Sequence, residues 1–387
     1  MPVVEPIPFP RDELRFGAPL LAHEASYFAA SAKTASFRAI SILVLYTVQL
    51  EMGGFMRRDA ELVKATERGL FCPAGGFYID PWLPVQRAVI THAHGDHLRA
   101  GSSDYVLAAA GLRVARCRLP PDARITTLKY GESIQIGDTQ VSLHPAGHVL
   151  GSAQVRIEHA GAVWVVSGDY KRDADPTCQP FEAVPCDVFI SEATFALPAY
   201  RWPDTGRTAL EILNWWRDNR LHGLASVLFV YALGKAQRVL AELSRLTSDS
   251  VFVHGAIAGL VEAYREEGVQ MLGTLPATVA GLKNYAGAMV LAPPSAAGSP
   301  WMRRFGDHRT GFCSGWMRIR GDRRRRGYDR GFVLSDHADW PSLLRTFRET
   351  GARRILLTHG YTDAMCRYLQ EQGVDAAALR TEYGGED

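Results

Sequence analysis

Ile90-Thr91-His92-Ala93-His94-Gly95-Asp96-His97, which continues the apolar run Ala88-Val89-Ile90, places three histidines and one aspartate within six residues. A strand ending at Ile90 delivers these side chains into one loop, where imidazoles and a carboxylate can aim at a single point. A protein core cannot hold such groups unpaired, and nitrogen and oxygen donors of this kind are what divalent cations take. An exposed polar turn would carry the same residues without convergence. The reading of the fold therefore turns on whether other strand ends complete the site.

Four of them can. His148 lies in Pro145-Ala146-Gly147-His148-Val149-Leu150-Gly151-Ser152, and Asp169 follows the buried run Ala162-Val163-Trp164-Val165-Val166-Ser167. His337 lies in Ser335-Asp336-His337-Ala338-Asp339, and His359 follows Arg354-Ile355-Leu356-Leu357-Thr358. One histidine at a strand end is usually structural; several after successive buried strands argue for a metal site. Asp80 ends Gly76-Phe77-Tyr78-Ile79-Asp80-Pro81 and has two readings. It orients a ligand histidine from behind, or it caps the turn before Pro81.

The chain has 387 residues, 47% of them hydrophobic and 22% charged, which is the composition of a soluble globular enzyme of two domains or one large layered one. A net charge of +2 gives no global pull on an acidic partner. Local patches must supply it. The clearest is Arg323-Arg324-Arg325-Arg326, with Arg318, Arg320 and Arg330 close by, read as a solvated loop or a phosphate contact. The six cysteines form no CxxC pair, so neither a zinc ribbon nor a disulfide framework is expected, and a reducing cytoplasm is the simplest location. No signal peptide is evident, and the apolar run Ala39 to Leu50 has only twelve residues, too few to span a bilayer.

Along the chain, residues 1–55 form an N-terminal extension without a chemical motif, and translation starting at Met52 or Met56 would omit most or all of it. From about residue 61 strands dominate. A helix is expected over Leu98 to Leu112, and the alternating segments after it predict a first half that is mostly antiparallel sheet. Between about 200 and 330, strands alternate with helices such as Thr208 to Asn219 and Lys235 to Leu246, which predicts a small parallel α/β unit. Buried-strand patterns resume at Gly331-Phe332-Val333-Leu334-Ser335 and at Arg354. The expected organisation is a first domain over 56–200, a second over 201–330 and the remainder of the first over 331–387.

These residues resemble the metallo-β-lactamase fold superfamily, whose HxHxDH motif matches His92, His94, Asp96 and His97. Its next ligands match His148 and Asp169. The β-CASP nucleases of that superfamily are similar further: their acidic motif matches Glu192 in Ser191-Glu192-Ala193-Thr194, and their two later histidines match His337 and His359. Their Ala-Leu-Gly-x-x-Gln turn matches Ala232-Leu233-Gly234-Lys235-Ala236-Gln237. The bacterial DNA ligase-associated exonucleases look most similar, over roughly residues 57–387. The resemblance implies an α/β fold, a four-layer αββα sandwich with an inserted α/β cap.

It also implies two Zn2+ ions, with Mn2+ as the alternative. His92, His94 and His148 would hold one, Asp96, His97 and His359 the other, and Asp169 would bridge them. A hydroxide bridging the ions would attack phosphorus, with Asp96, His337 and Glu192 as catalytic residues: His337 gives a proton to the leaving oxygen and Glu192 orients it. His337 as a further ligand or a structural residue stays open. Gly234 and Lys235 at a helix start would cradle a phosphate, or the glycine serves sterics alone. Ser314-Gly315-Trp316 resembles a family element in which Trp316 would stack on a base or pack in the core. The implied activity is exonucleolytic hydrolysis of DNA in repair, alongside a DNA ligase and helicase, in the cytoplasm and away from membranes. His359 departs from the DNA-repair pattern, where valine is frequent, and leaves RNA as an alternative. A thioester or lactone hydrolase would not need residues 200–330, Glu192 or His337, and a non-catalytic subunit would not need all seven ligands.

Overall fold

Short β-branched and aromatic runs between glycine and proline turns build the first sheet. The computed structural model describes residues 61–277, 285–319 and 327–382. The N-terminal extension, with Ala39 to Leu50, Met52 and Met56, lies outside the described residues, as do Arg320 and Arg323 to Arg326. The elements that follow all belong to one unit, Leu62–Asp387.

Strands β1 (Lys64–Thr66), β2 (Gly69–Cys72), β3 (Phe77–Ile79), β4 (Arg87–Val89), β5 (Asp104–Ala108) and β6 (Arg124–Leu128) pair in sequence order. β1 to β3 are antiparallel and β3 to β6 run parallel. The helix expected over Leu98 to Leu112 is corrected. Tyr105 to Ala108 are buried within β5, and helix appears only as a 3-10 turn at Ala109–Gly111 and α1 (Leu112–Arg116). Burial on both faces of a parallel strand outweighs the helical propensity of the alanines.

The second sheet starts with β7 (Ser133–Ile136), β8 (Thr139–Pro145), β9 (Ala153–His159) and β10 (Ala162–Val166), an antiparallel series, and β11 (Val188–Ala193) joins β10 in parallel. The chain then leaves this sheet. It forms α2 (Thr205–Leu221), β12 (Ala225–Phe229), α3 (Lys235–Ser244), β13 (Val251–Val253), α4 (Gly255–Glu266), β14 (Thr274–Pro276), β15 (Met289–Ala292), β16 (His308–Cys313) and β17 (Arg330–Phe332). These six strands make an all-parallel third sheet in the order β14-β13-β15-β12-β16-β17. After α5 (Trp340–Thr350), β18 (Arg354–Gly360) returns to pair beside β11, and α6 (Thr362–Glu371) leads to the edge strand β19 (Asp375–Ala378). The strand expected at Gly331 to Ser335 thus lies on the third sheet, because Phe332 packs into that sheet's core beside Leu228 and Cys313.

One apolar cluster draws on the facing sides of the first two sheets, with Phe77, Val89 and Val106 meeting Leu143, Val155 and Trp164. On the far side of the second sheet, Leu343 and Phe347 of α5 and Met365 and Leu369 of α6 cover Phe189, Ile355 and Leu357. Val114 of α1 and Leu260 and Tyr264 of α4 cover Ala88, Ile90 and Leu107 on the first. Among the described residues no helix is long and apolar enough to cross a membrane. β10, β11 and β18 are parallel neighbours, so their carboxyl ends lie side by side, and the residues just beyond or at those ends face one cleft.

Candidate metal centre

Each ring in the centre has one nitrogen anchored by protein and the other turned inward. His148 Nδ1 donates to the Asp336 carbonyl (2.7 Å), and His94 Nε2 donates to the Leu233 carbonyl (3.2 Å). His97 Nδ1 donates to Asp80 Oδ2 (2.7 Å). The Thr91 hydroxyl donates to the same carboxylate, so its oxygen accepts from His92 Nδ1 at 3.0 Å. Asp80 Oδ1 takes the Thr91 N–H at 2.7 Å. Asp80 therefore fixes the tautomers of two histidines, one directly and one through Thr91. It adopts φ 43°, an uncommon backbone state held by these three hydrogen bonds.

The inward atoms converge. His94 Nδ1 stands 3.1 Å from His92 Nε2 and 3.0 Å from His148 Nε2, while Asp169 Oδ2 lies 3.5 Å and 3.8 Å from the latter two. Ligands at ~2.0–2.1 Å from a tetrahedral ion stand about 3.3 Å apart. These four donor atoms match that spacing. On the other side, Asp169 Oδ2 lies 3.5 Å from His97 Nε2, Asp169 Oδ1 lies 3.0 Å from His359 Nε2, and Asp96 Oδ2 lies 3.6 Å from His97 Nε2. Asp169 thus touches both groups. All seven residues named from the sequence come together around it.

His359 reaches the centre through an irregularity. Opposite β11, Thr358 pairs with Glu192 and Gly360 with Ala193, leaving His359 as the extra residue of a bulge. Its φ is 21°, and Gly360 follows at φ +83°, where a Cβ would stand 2.2 Å from the Ala193 carbonyl oxygen. Only glycine fits there.

The electrostatics also call for a cation. Burial, aided by adjoining imidazoles, holds His92 and His148 well below the ordinary histidine value, and burial likewise lowers His94. Neutral rings are the form in which histidine binds metal. Burial alone would raise the Asp169 carboxyl, but His97, His337 and His359 hold it well below the usual range. Burial opposes a charge on His97, yet Asp169, Asp96 and Asp80 outweigh it and push the ring up to about 10. The acids here demand a positive charge, and a divalent ion fits that demand. The donor set and its spacing fit the group.

Next to this centre, His337 Nδ1 donates to Glu192 Oε2 at 2.7 Å, and Glu192 Oε1 accepts the Tyr170 N–H at 2.7 Å. The His337 carbonyl accepts the Trp202 indole N–H (2.8 Å), and its own N–H is held by Ser335 Oγ (3.1 Å). A cavity of about 330 Å³ opens over His94, Asp96, Asp169 and His359, with His337 in its wall. Both parts of the centre face it.

Of the four substrate contacts expected from sequence, Gly234, Lys235 and Ser314 are engaged in internal contacts instead, and Trp316 stays partly exposed. The Gly234 N–H is taken by Gln237 Oε1 at 2.7 Å, and a Cβ on Gly234 (φ +84°) would stand 2.4 Å from Val149 Cγ1, so sterics explain this glycine. Lys235 is fully buried, and its Nζ pairs with Asp336 Oδ2 at 2.9 Å. Ser314 is fully buried and caps the turn Gly315–Arg318 by accepting the Trp316 N–H. Trp316 is half-buried and packs 4.8 Å from Phe195, which in turn backs His337 at 5.8 Å. Sequence reasoning missed Thr91, whose adjacency to His92 was its only signal. It also missed a buried charge cluster in which Lys171 and Arg238 (Nε 3.4 Å) bind Asp175, while Arg238 Nη1 lies 3.4 Å from Asp336. Nothing local marks those charges as partners.

No family model matches the chain. A protein of Opitutus terrae named as a probable DNA ligase is 32% identical over 323 residues, which are 82% of this chain and 31% of that protein. Endoribonuclease YSH1 of Eremothecium gossypii is 31% identical over 127 residues, and that of Saccharomyces cerevisiae 30% over 127, in each case 32% of this chain and 16% of the relative. The chain is thus similar to one protein named for DNA joining and to others named for RNA cleavage, and it spans less than a third of the length of each.

Proposed function

We propose that the chain is a metal-dependent nuclease that hydrolyses DNA phosphodiester bonds as an exonuclease working alongside a DNA ligase. The observation that carries this reading is the pairing of a seven-residue donor cluster with a separate His337–Glu192 dyad on one cavity. A hydrolase of esters with good leaving groups needs only the cluster. A phosphodiester has a poor leaving alkoxide, and the dyad supplies it with a proton.

In this reading His92, His94 and His148 hold one ion, Asp96, His97 and His359 the other, and Asp169 serves both; the nitrogen-rich set favours zinc. When bound, the ions polarise the phosphoryl oxygen and lower the pKa of a water. Asp80 and Thr91 hold the outward nitrogens of His92 and His97, so their inward nitrogens stay aimed at the ions. Because Glu192 anchors His337 at Nδ1, Nε2 is the atom that passes a proton to the leaving oxygen. The first two sheets with their outer helices are the metallo-β-lactamase sandwich, and residues 201–330 with the third sheet are the β-CASP cap.

Similarity across most of the chain to a protein named as a DNA ligase supports DNA and a ligase partner. The endoribonuclease relatives support RNA as the second reading. End-labelled single- and double-stranded DNA and RNA, incubated with protein loaded with zinc or manganese, separate these outcomes. Shortening of DNA from one end is expected; cleavage of RNA alone would replace the substrate, and inertness on both would remove the nuclease.

A further inference from the structure

A nucleic acid brings more than one phosphate into a cleft, and the cavity over the metal centre is mostly acidic or neutral. Asp96, Asp169 and Asp336 line it, and the Asp336 carboxylate is already matched by buried Lys235 at 2.9 Å. Among the described residues that line the cavity, Arg118 is the one lysine or arginine. It lies just beyond α1, with its side of the cavity formed by the metal loop itself: a Cβ on Gly95 would stand 3.3 Å from Arg118 Nη1. The guanidinium therefore rests against the backbone between His94 and Asp96, in a space that a side chain at 95 would crowd. The residue is exposed and lines the cavity, where an entering strand can reach it.

The opposite wall has a different origin. Tyr231 and Leu233 follow β12 and Ser295 follows β15, and these two strands are parallel neighbours. The carboxyl ends of the third sheet thus face the metal loop across the cavity, the usual place for a ligand in a parallel sheet. A chain entering between the walls passes Arg118 immediately beside the donor cluster. Arginine suits that position because its planar fork takes two phosphate oxygens at once.

We propose that Arg118 binds a non-scissile phosphate next to the bond being cleaved, an inference that rests on the nuclease reading and adds a second anionic subsite to it. This contact holds the strand in register without touching the reacting atoms. It predicts a cost for polyanionic substrates that a single phosphodiester does not share.

The test compares zinc-loaded wild type, Arg118→Ala and Arg118→Lys, with zinc content measured for each. Affinity for a cleavage-resistant phosphorothioate single strand is read by fluorescence anisotropy across a salt series. Turnover is read on a labelled oligonucleotide and on bis(4-nitrophenyl) phosphate. Arg118→Ala should weaken strand binding about tenfold and flatten the slope of log Kd against log salt by about 0.7, the value for one phosphate on a single strand. Its kcat/KM should fall about tenfold further on the oligonucleotide than on the small diester, and Arg118→Lys should restore the slope. Unchanged affinity and slope, equal losses on both substrates, or lost zinc would each overturn the assignment. A wild type inert on both substrates would instead sink the nuclease reading and the subsite with it.

Discussion

Replacing Glu192 with glutamine isolates the dyad from the donor cluster. The glutamate is buried and uses both oxygens as acceptors, one for the Tyr170 N–H and one for His337 Nδ1–H, each at 2.7 Å. Glutamine has one oxygen. The Tyr170 N–H can only donate, so that oxygen must stay with it, and the amide NH2 then faces His337. Nδ1 must turn acceptor, which puts the proton on Nε2 and removes the anion behind the ring. The loss is one charge-assisted hydrogen bond, ~1.5–3 kcal/mol. If it is felt only in the transition state, kcat falls about 10- to 150-fold, at ~1.4 kcal/mol per decade. Turnover is measured on an oligonucleotide and on a 4-nitrophenyl phosphodiester, whose leaving group departs without a proton, with zinc content alongside. The deficit should shrink to less than about threefold on the nitrophenyl ester. Equal deficits on both substrates would refute proton delivery by His337. Lost zinc would place the dyad among the ligands, an arrangement the geometry permits because Asp169, Glu192 and His337 offer donor atoms within 4.8 Å of one another.

Three other perturbations follow from the same contacts. Asp80→Ala removes the acceptor behind His97 and behind the Thr91 hydroxyl that holds His92, and should cut zinc affinity about 10- to 100-fold in competition with a chromophoric chelator, while Asp80→Asn, which keeps a carbonyl, should lose less. Gly168→Ala forces a Cβ to within 2.6 Å of Thr91 Cβ at φ +57°, and should cost roughly 1–3 kcal/mol in urea unfolding along with zinc; Gly161→Ala, with φ +81° and nothing within 4 Å, supplies the strain-only comparison. Asp175→Asn removes the buried carboxylate that Lys171 and Arg238 share, leaving Arg238 only Asp336, and should cost about 3–5 kcal/mol at neutral pH. Burial raises the Asp175 carboxyl, but Lys171 and Arg238 bring it below its ordinary value. Its contribution is therefore present above the unfolded value of about 3.9 and is lost as pH falls through the folded one. The gap between wild type and Asp175→Asn in urea midpoint should narrow below about pH 4, and a constant gap down to pH 2 would contradict the pairing.

The convergence of the seven donor residues was legible because groups able to hold a metal leave a local chemical mark: histidines and aspartates after apolar runs have few other uses. Asp80 was half legible. Its place at a strand end showed, but only the structure reveals one carboxylate serving Thr91 and His97 together. The arrival of His359 through a bulge was invisible, since a one-residue shift against β11 depends on pairing partners distant in the chain. Tyr105 to Ala108 misled because alanine-rich sequence favours helix while burial in a parallel strand rewards the same apolar atoms. Lys235 looked like a phosphate ligand because sequence displays its charge and hides Asp336. Buried ion pairs across a fold carry no periodicity to read.

β11 and β18 are hydrogen-bonded neighbours, yet the whole third sheet is threaded between them in sequence. During synthesis, the residues from His92 to Asp169 leave the ribosome first, and His337 and His359 come last. At about 5–20 residues per second, the interval between His97 and His359 is on the order of tens of seconds. Throughout it the proposed second ion lacks a ligand, and the proposed proton donor, His337, is made only near its end. The insert begins and ends at adjacent strands, so it can fold as its own loop without holding them apart. Insertion of β18 between β11 and β19 then brings His359 to Asp169, and the placement of His337 against Glu192 completes the dyad. On the proposed nuclease reading, that order withholds activity until residue 359 has emerged from the ribosome.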